Sequence, residues 1–201
     1  MRLRHSILAA TAAALAAGSL PAADTKAAVE KYQQQDYQAA EKMLGEAVQE
    51  SPEDAEAAKF YGLTLVELKK TDEAEKALEK ANAEDPDVQV GKARVAIERR
   101  DYGKAIEMLN QAVAADPDNA DAYLYRGMTK VQEKKAAEAV EDLKKAVELE
   151  PRDPYAHYYL GLAYNGAKQP DQMVEQFQLF LELAPNAPEA DKVRSFLRAF
   201  R

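Results

Sequence analysis

Cysteine and tryptophan are absent from this 201-residue sequence, and histidine occurs only at positions 5 and 157. Without cysteine there can be no disulfide, thiolate-bound zinc, thiol nucleophile or lipid-modified N-terminal cysteine. Glycine and proline are scarce, at 8 and 9 residues, while 47% of residues are apolar and 31% charged. That balance belongs to a helix-rich folded chain and excludes a disordered tail. Phosphate-cradling glycine loops, His-Glu-x-x-His and Ser-x-x-Lys are also missing, so the expectation is a non-enzymatic protein with no cofactor and no metal.

The formal charge is -8. Lysine and arginine alternate with acids at helical spacing, as in Asp72 with Lys76 and Glu141 with Lys145, in place of the clusters a nucleic-acid surface needs. Only the N-terminus departs from this mixture. Arg2 and Arg4 precede an unbroken run of small and apolar residues, Ile7 to Ala17, followed by Gly18-Ser19-Leu20-Pro21-Ala22-Ala23. A basic start, a short apolar stretch and a small-residue exit make residues 1–22 an expected secretory signal peptide. Ile7 to Leu20 is too short for a membrane span, which needs about 20 apolar residues. The expected mature chain starts near Ala23 in the periplasm of a Gram-negative-type cell. It would have lost His5, which leaves His157 as its one imidazole and no means of building a multi-histidine metal site.

Five prolines set a rhythm: Pro52, Pro86, Pro117, Pro151 and Pro185 are separated by 34, 31, 34 and 34 residues. Twenty-four residues before each stands a small residue: Ala28, Gly62, Ala93, Gly127 and Gly161. Twelve before stand Ala40, Ala74, Ala105, Ala139 and Met173; eight before, Leu44, Leu78, Leu109, Leu143 and Phe177; five before, Ala47, Ala81, Ala112, Ala146 and Phe180. Small columns let two helices approach, and a large column fills the space between them. Asp36-Tyr37, Thr71-Asp72 and Asp101-Tyr102 supply helix-start residues midway, so each unit reads as helix, turn, helix. Segments such as Ser51-Pro52-Glu53-Asp54 and Asp116-Pro117-Asp118-Asn119 end one helix and begin the next.

With these columns, and with Leu160-Gly161-Leu162-Ala163-Tyr164 preserving a Leu-Gly-x-x-Tyr core, the chain resembles the tetratricopeptide repeat family over roughly residues 21–187. The resemblance implies an all-α, right-handed α-solenoid. Its five helix-turn-helix units are expected at about 23–54, 55–88, 89–119, 120–153 and 154–187. Residues 188–201, with Val193, Phe196, Leu197 and Phe200 on one face, read as a capping helix over the bulky Met173 and Phe180 of the last unit. Pro86 to Ala93 spans 7 residues where its counterparts span 10, which suggests a shortened first helix in the third unit.

The family also implies a function, that of a scaffold or adaptor binding a protein or peptide on a concave surface lined by first helices. Residues 30, 27, 23 and 20 before each proline share one helical face. They include Val29 and Tyr32; Lys59, Leu63 and Val66; Val90, Arg94 and Ile97; Leu124, Met128 and Val131; and Tyr155, Tyr158, Leu162 and Asn165. The expected groove is Lys59, Leu63, Arg94, Leu124, Met128, Tyr155, Tyr158, Leu162 and Asn165, with some of these, Leu63 and Leu162 above all, open to a packing role instead. A clamp for a terminal carboxylate is disfavoured, since Lys59 and Arg94 are its only cations; an apolar extended peptide or amphipathic helix fits better. Two alternatives stand beside this one: a homo-oligomer assembled through Phe196 and Phe200, and a carrier of an apolar small molecule. His157 reads as a packing residue. Asp116, Asp118 and Asp121 read as turn and helix-start acids, because a calcium loop would need Gly at 121 and Glu at 127.

Overall fold

A computed structural model describes residues 21–199, with side-chain surroundings from Thr25 onward; residues 1–20 of the expected signal peptide and Phe200 lie outside the described residues. Among the described residues there are eleven helices and no strand: α1 (Pro21–Gln33), α2 (Tyr37–Glu50), α3 (Ala55–Glu67), α4 (Thr71–Lys80), α5 (Pro86–Glu98), α6 (Tyr102–Ala115), α7 (Ala120–Gln132), α8 (Ala136–Leu149), α9 (Pro154–Gly166), α10 (Pro170–Leu183) and α11 (Ala190–Ala199). The chain is an all-α helical solenoid.

Each first helix ends in the same way. The backbone turns left-handed at Gln35, Lys69, Arg100, Lys134 and Lys168, none of them glycine. At each turn the next amide donates back to the first helix, Lys70 N to Leu65 O and Asp101 N to Ala96 O at 2.9 Å, while the left-handed residue's own amide donates to Val66 O or Ile97 O. This double closure satisfies the helix's orphan carbonyls and reverses the chain. The second helices start on Asp36 and Asp101, whose carboxylates accept from Ala39 N and Lys104 N; α4 starts after Lys70, with Thr71 already helical. Prolines 52, 117 and 151 sit in the turns between units, where Asp54, Asn119 and Asp153 cap the following first helix.

Packing follows the columns. Leu44, Leu78, Leu109, Leu143 and Phe177 are fully buried, each facing the small residue of its own first helix. A Cβ placed on Gly62 would stand 2.6 Å from Leu78 Cγ, on Gly127 2.5 Å from Leu143 Cγ, and on Gly161 2.5 Å from Phe177 Cδ1, so these glycines are required for close approach. The first helices α1, α3, α5, α7 and α9 touch one another in succession, whereas among the described residues no two second helices touch. A layer that is closed on one side and splayed on the other curves, with the first helices inside.

The 31-residue unit is built differently from the spacing's suggestion. Helix α5 has the full 13 residues of a first helix, and the shortened element is α4, with 10 residues where α2, α6, α8 and α10 have 14. The reason is the proline. Pro86 occupies the first turn of α5, behind the N-cap Asp85, where its missing N–H costs nothing; it is therefore not the counterpart of Pro52. The deficit falls at the C-terminal end of α4. On the outer side a cleft of about 390 Å³ opens between α4 and α6, over Val95 and Arg99 of α5.

The last unit is covered by α11. Val193 and Ala190 are buried with Met173, Phe177 and Phe180, and the Phe196 ring lies 6.0 Å from that of Phe177. Phe196 thus packs, partly buried, against the core of the last unit. One unit carries charge in its packing. Asp142 of α8 is buried and receives Arg126 at 2.6 Å and Lys130 at 2.7 Å, both from α7, a fully bonded network in which every member has its partner.

Candidate interaction face

The inner layer places the expected stripe in two groups. Leu63, Leu124 and Tyr158 are buried, at 7, 8 and 6% exposure, as are Val90 and Ile97. Leu63 and Leu124 are caught between successive first helices, Leu63 Cδ2 standing 2.8 Å from where a Cβ on Gly91 would lie and Leu124 packing with Ala156 and Leu160 of α9; Tyr158, on the last first helix, is covered by α10, its ring 5.2 Å from that of Phe180 and also 5.2 Å from that of Tyr159. An unbroken apolar strip through these residues is therefore not what the inner face offers. Lys59, Arg94, Met128 and Leu162 are half-buried, Asn165 is exposed, and Tyr155 is the one large hydrophobic among the described residues that is exposed, at 38%.

Both cations of the stripe are already matched within the chain. Lys59 Nζ lies 3.0 Å from Asp85 and 3.9 Å from Asp87, and 4.9 Å from the centre of the Phe60 ring. Arg94 donates to Glu67 at 2.5 Å, and its guanidinium carbon stands 4.9 Å from the Tyr125 ring centre. Such paired cations hold α3 to α5 and leave little free positive charge for a partner's carboxylate.

Two further sets of residues complete the face. Phe60, Tyr125 and Tyr159, each 26 residues before its unit's proline, form a half-buried aromatic column, interrupted by Gly91 in the third unit; Tyr32 joins it, 5.5 Å from Phe60. Glu56, Asp87 and Asp121 fill the column 30 before the proline, the one that also contributes Tyr155. Burial pushes the Tyr32 and Tyr159 hydroxyls up to about 12 and raises Tyr125 further, so all three stay neutral hydrogen-bonding groups.

Asp121 is the electrostatic centre. Its side chain is open to solvent, yet it stands within the curve of the solenoid with protein on most sides, and it is raised from 3.8 to about 6. Poor hydration is the main cause; Arg94 opposes it, and Glu150, Asp153 and Asp87 add to it. His157, by contrast, is buried, its ring nitrogens 2.8 Å from Gln176 Oε1 and 3.1 Å from Pro151 O, which ties α9 to α10 and to the preceding turn.

Four family models match the chain: tetratricopeptide repeat models at residues 31–95, 90–141 and 155–187, and a TPR repeat model at 127–166. Together they run without a gap from 31 to 187. Among solved structures, the chain is similar to a thermophilic TPR protein of Thermus thermophilus, at 21% identity and a TM-score of 0.70, covering 90% of this chain and 98% of that one. It is similar to pilF of Pseudomonas aeruginosa at 15% identity and a TM-score of 0.71, covering 90% and 88%. A third neighbour, YrrB, described as a TPR protein with an unusual peptide-binding site, matches at 19% identity and a TM-score of 0.61, covering 88% and 92%. At such identities the likeness is one of fold. No curated protein sequence matches the chain significantly.

The sign of the Asp121 shift gives a test. Between 3.8 and about 6 the folded chain holds a proton that the unfolded chain has released, so this group's contribution to stability falls as pH rises through that window, and its penalty is fully present above it. Asp121→Asn should raise the melting temperature at neutral pH, and the gain should shrink as pH falls through the window and vanish below 3.8, as thermal unfolding followed by circular dichroism would report.

Proposed function

The chain belongs to the tetratricopeptide repeat family, and from that membership we propose that it is a non-enzymatic scaffold that holds a segment of another protein along the inner face of its first helices. Proteins of this family are generally interaction scaffolds. The observation that carries the reading is the inner face itself: half-buried Phe60 on α3, Tyr125 and Met128 on α7, and Tyr159 and Leu162 on α9 share it, and the second helices stand outside them. An extended segment could bury several side chains there at about 1.5–3 kcal/mol each before ordering costs, enough for binding in the micromolar range, about -8 kcal/mol. That YrrB, a similar fold, carries a peptide-binding site supports the same mode.

The proposal includes a location. The basic start, apolar run and small-residue exit of residues 1–22 are read as an export signal, which puts the scaffold in the cell envelope. N-terminal sequencing of the native protein should begin near Ala23; recovery of Met1 would remove the envelope from the reading.

A photo-reactive residue at Met128 or Leu162, introduced in the native host, should capture a protein partner. The same group at Lys144 or Glu141, exposed on the outer helix α8, should capture little. Adducts from α8 alone would move the partner surface to the outer face.

A further inference from the structure

We propose that the inner face is selective for a basic segment, one that sets lysine or arginine side chains against the α7–α9 end of the concavity while its apolar groups rest on Tyr125, Met128 and Leu162. The inference rests on the groove reading above and adds the chemistry of the occupant.

Charge complementarity carries it. The two cations on the inner stripe are committed, Lys59 to Asp85 and Asp87, Arg94 to Glu67. The carboxylates are not balanced in return: among the described residues, Asp121, Glu150 and Asp153 form no ion pair with any lysine or arginine, although Asp153 accepts a hydrogen bond from Tyr155 N at 2.8 Å as the cap of α9. These acids come from the first turn of α7 and the turn joining α8 to α9, and their mutual influence is felt at Asp121, which Glu150, Asp153 and Asp87 all disfavour in its charged form. The next carboxylate along, Glu189, accepts from the Tyr155 hydroxyl at 3.4 Å and sits beside the one exposed aromatic. An anionic segment would add to this repulsion, and the two cations of the stripe already hold Glu67 and Asp85. A cationic segment relieves it.

The aromatic residues fit the same occupant. Arg94 over Tyr125 and Lys59 over Phe60 show that rings on this face already accept cations from the chain itself. Long basic side chains also bring methylene stems, which can cover Met128 and Leu162 while their heads reach the carboxylates. The net charge of -8 favours approach of a basic partner at low ionic strength as well.

Synthetic extended peptides of equal length and apolar content, with their polar positions all lysine, all glutamine or all glutamate, provide the test, read by fluorescence anisotropy on the full chain. The lysine series should bind about tenfold or more tightly than the glutamine series, and the glutamate series most weakly; the lysine advantage should shrink with added salt and with Asp121→Asn. Because that variant removes a destabilising charge, loss of folding does not confound it. Tyr125→Ala should weaken all three series together. Equal affinity of lysine and glutamine peptides, or a preference for glutamate, overturns charge selection and leaves the groove standing. Failure of every series to bind overturns the inference too, and cross-linking at Met128 then decides whether the groove falls with it.

Discussion

Everything in this solenoid depends on one contact, made five times: a large side chain of a second helix seated on a small residue of the first. Where the large residue is Leu143 or Phe177, the seat is a glycine with no room for another carbon, Gly127 or Gly161. That contact sets the distance between layers, and the distance allows the first helices of adjacent units to meet while the second helices stay apart. Curvature, the existence of an inner face and the burial of Leu63 and Leu124 between first helices all follow from it. Closure at the end follows too, since the bulky Phe177 and Phe180 of the fifth unit need α11 and its Val193 and Phe196 as cover.

On that frame the chain distributes its polar groups unevenly. Arg94 with Glu67, and Lys59 with Asp85, spend the inner cations as ties between units, whereas Asp121, Glu150 and Asp153 stay unpaired among the described residues. A protein that wanted only stability would gain by neutralising Asp121, whose folded form resists ionisation. Keeping a charge at such a position is a cost that the proposed selection of a basic segment would explain. His157 and Asp142, two of the polar residues buried among the described residues, are fully bonded and hold helices together.

Much of this was readable from residue spacing. The columns of Ala and Gly against Leu predicted the helix pairs, the burial of Leu44 through Phe177, and the capping role of Val193, because packing between neighbouring helices repeats with the sequence. Two things were not readable by the same means. Pro86 shares its spacing with the turn prolines but starts a helix, and proline is compatible with both places, so counting from it moved the three-residue deficit from α4 to α5. The inner stripe follows from the resemblance, which puts first helices inside, and from helical geometry, which says which way a residue points but not how close its neighbours stand; Leu124 and Tyr158 are covered. The acids at 56, 87 and 121 lay in a column already in use for Tyr155, and the aromatic column at 60, 125 and 159 lay one position from another, so both were accessible to the same counting.

The layer contact itself can be measured by comparing two glycines in thermal or denaturant unfolding. Gly161 faces Phe177 with no space to spare, while a Cβ on Gly103, in the first turn of α6, would meet nothing within 4 Å. Gly161→Val should cost about 2 kcal/mol or more through overpacking. Gly103→Ala should add about 0.5–1 kcal/mol, through reduced freedom of the unfolded chain and better helix propensity. Opposite signs are the predicted result; a Gly161→Val chain as stable as the parent would contradict the account.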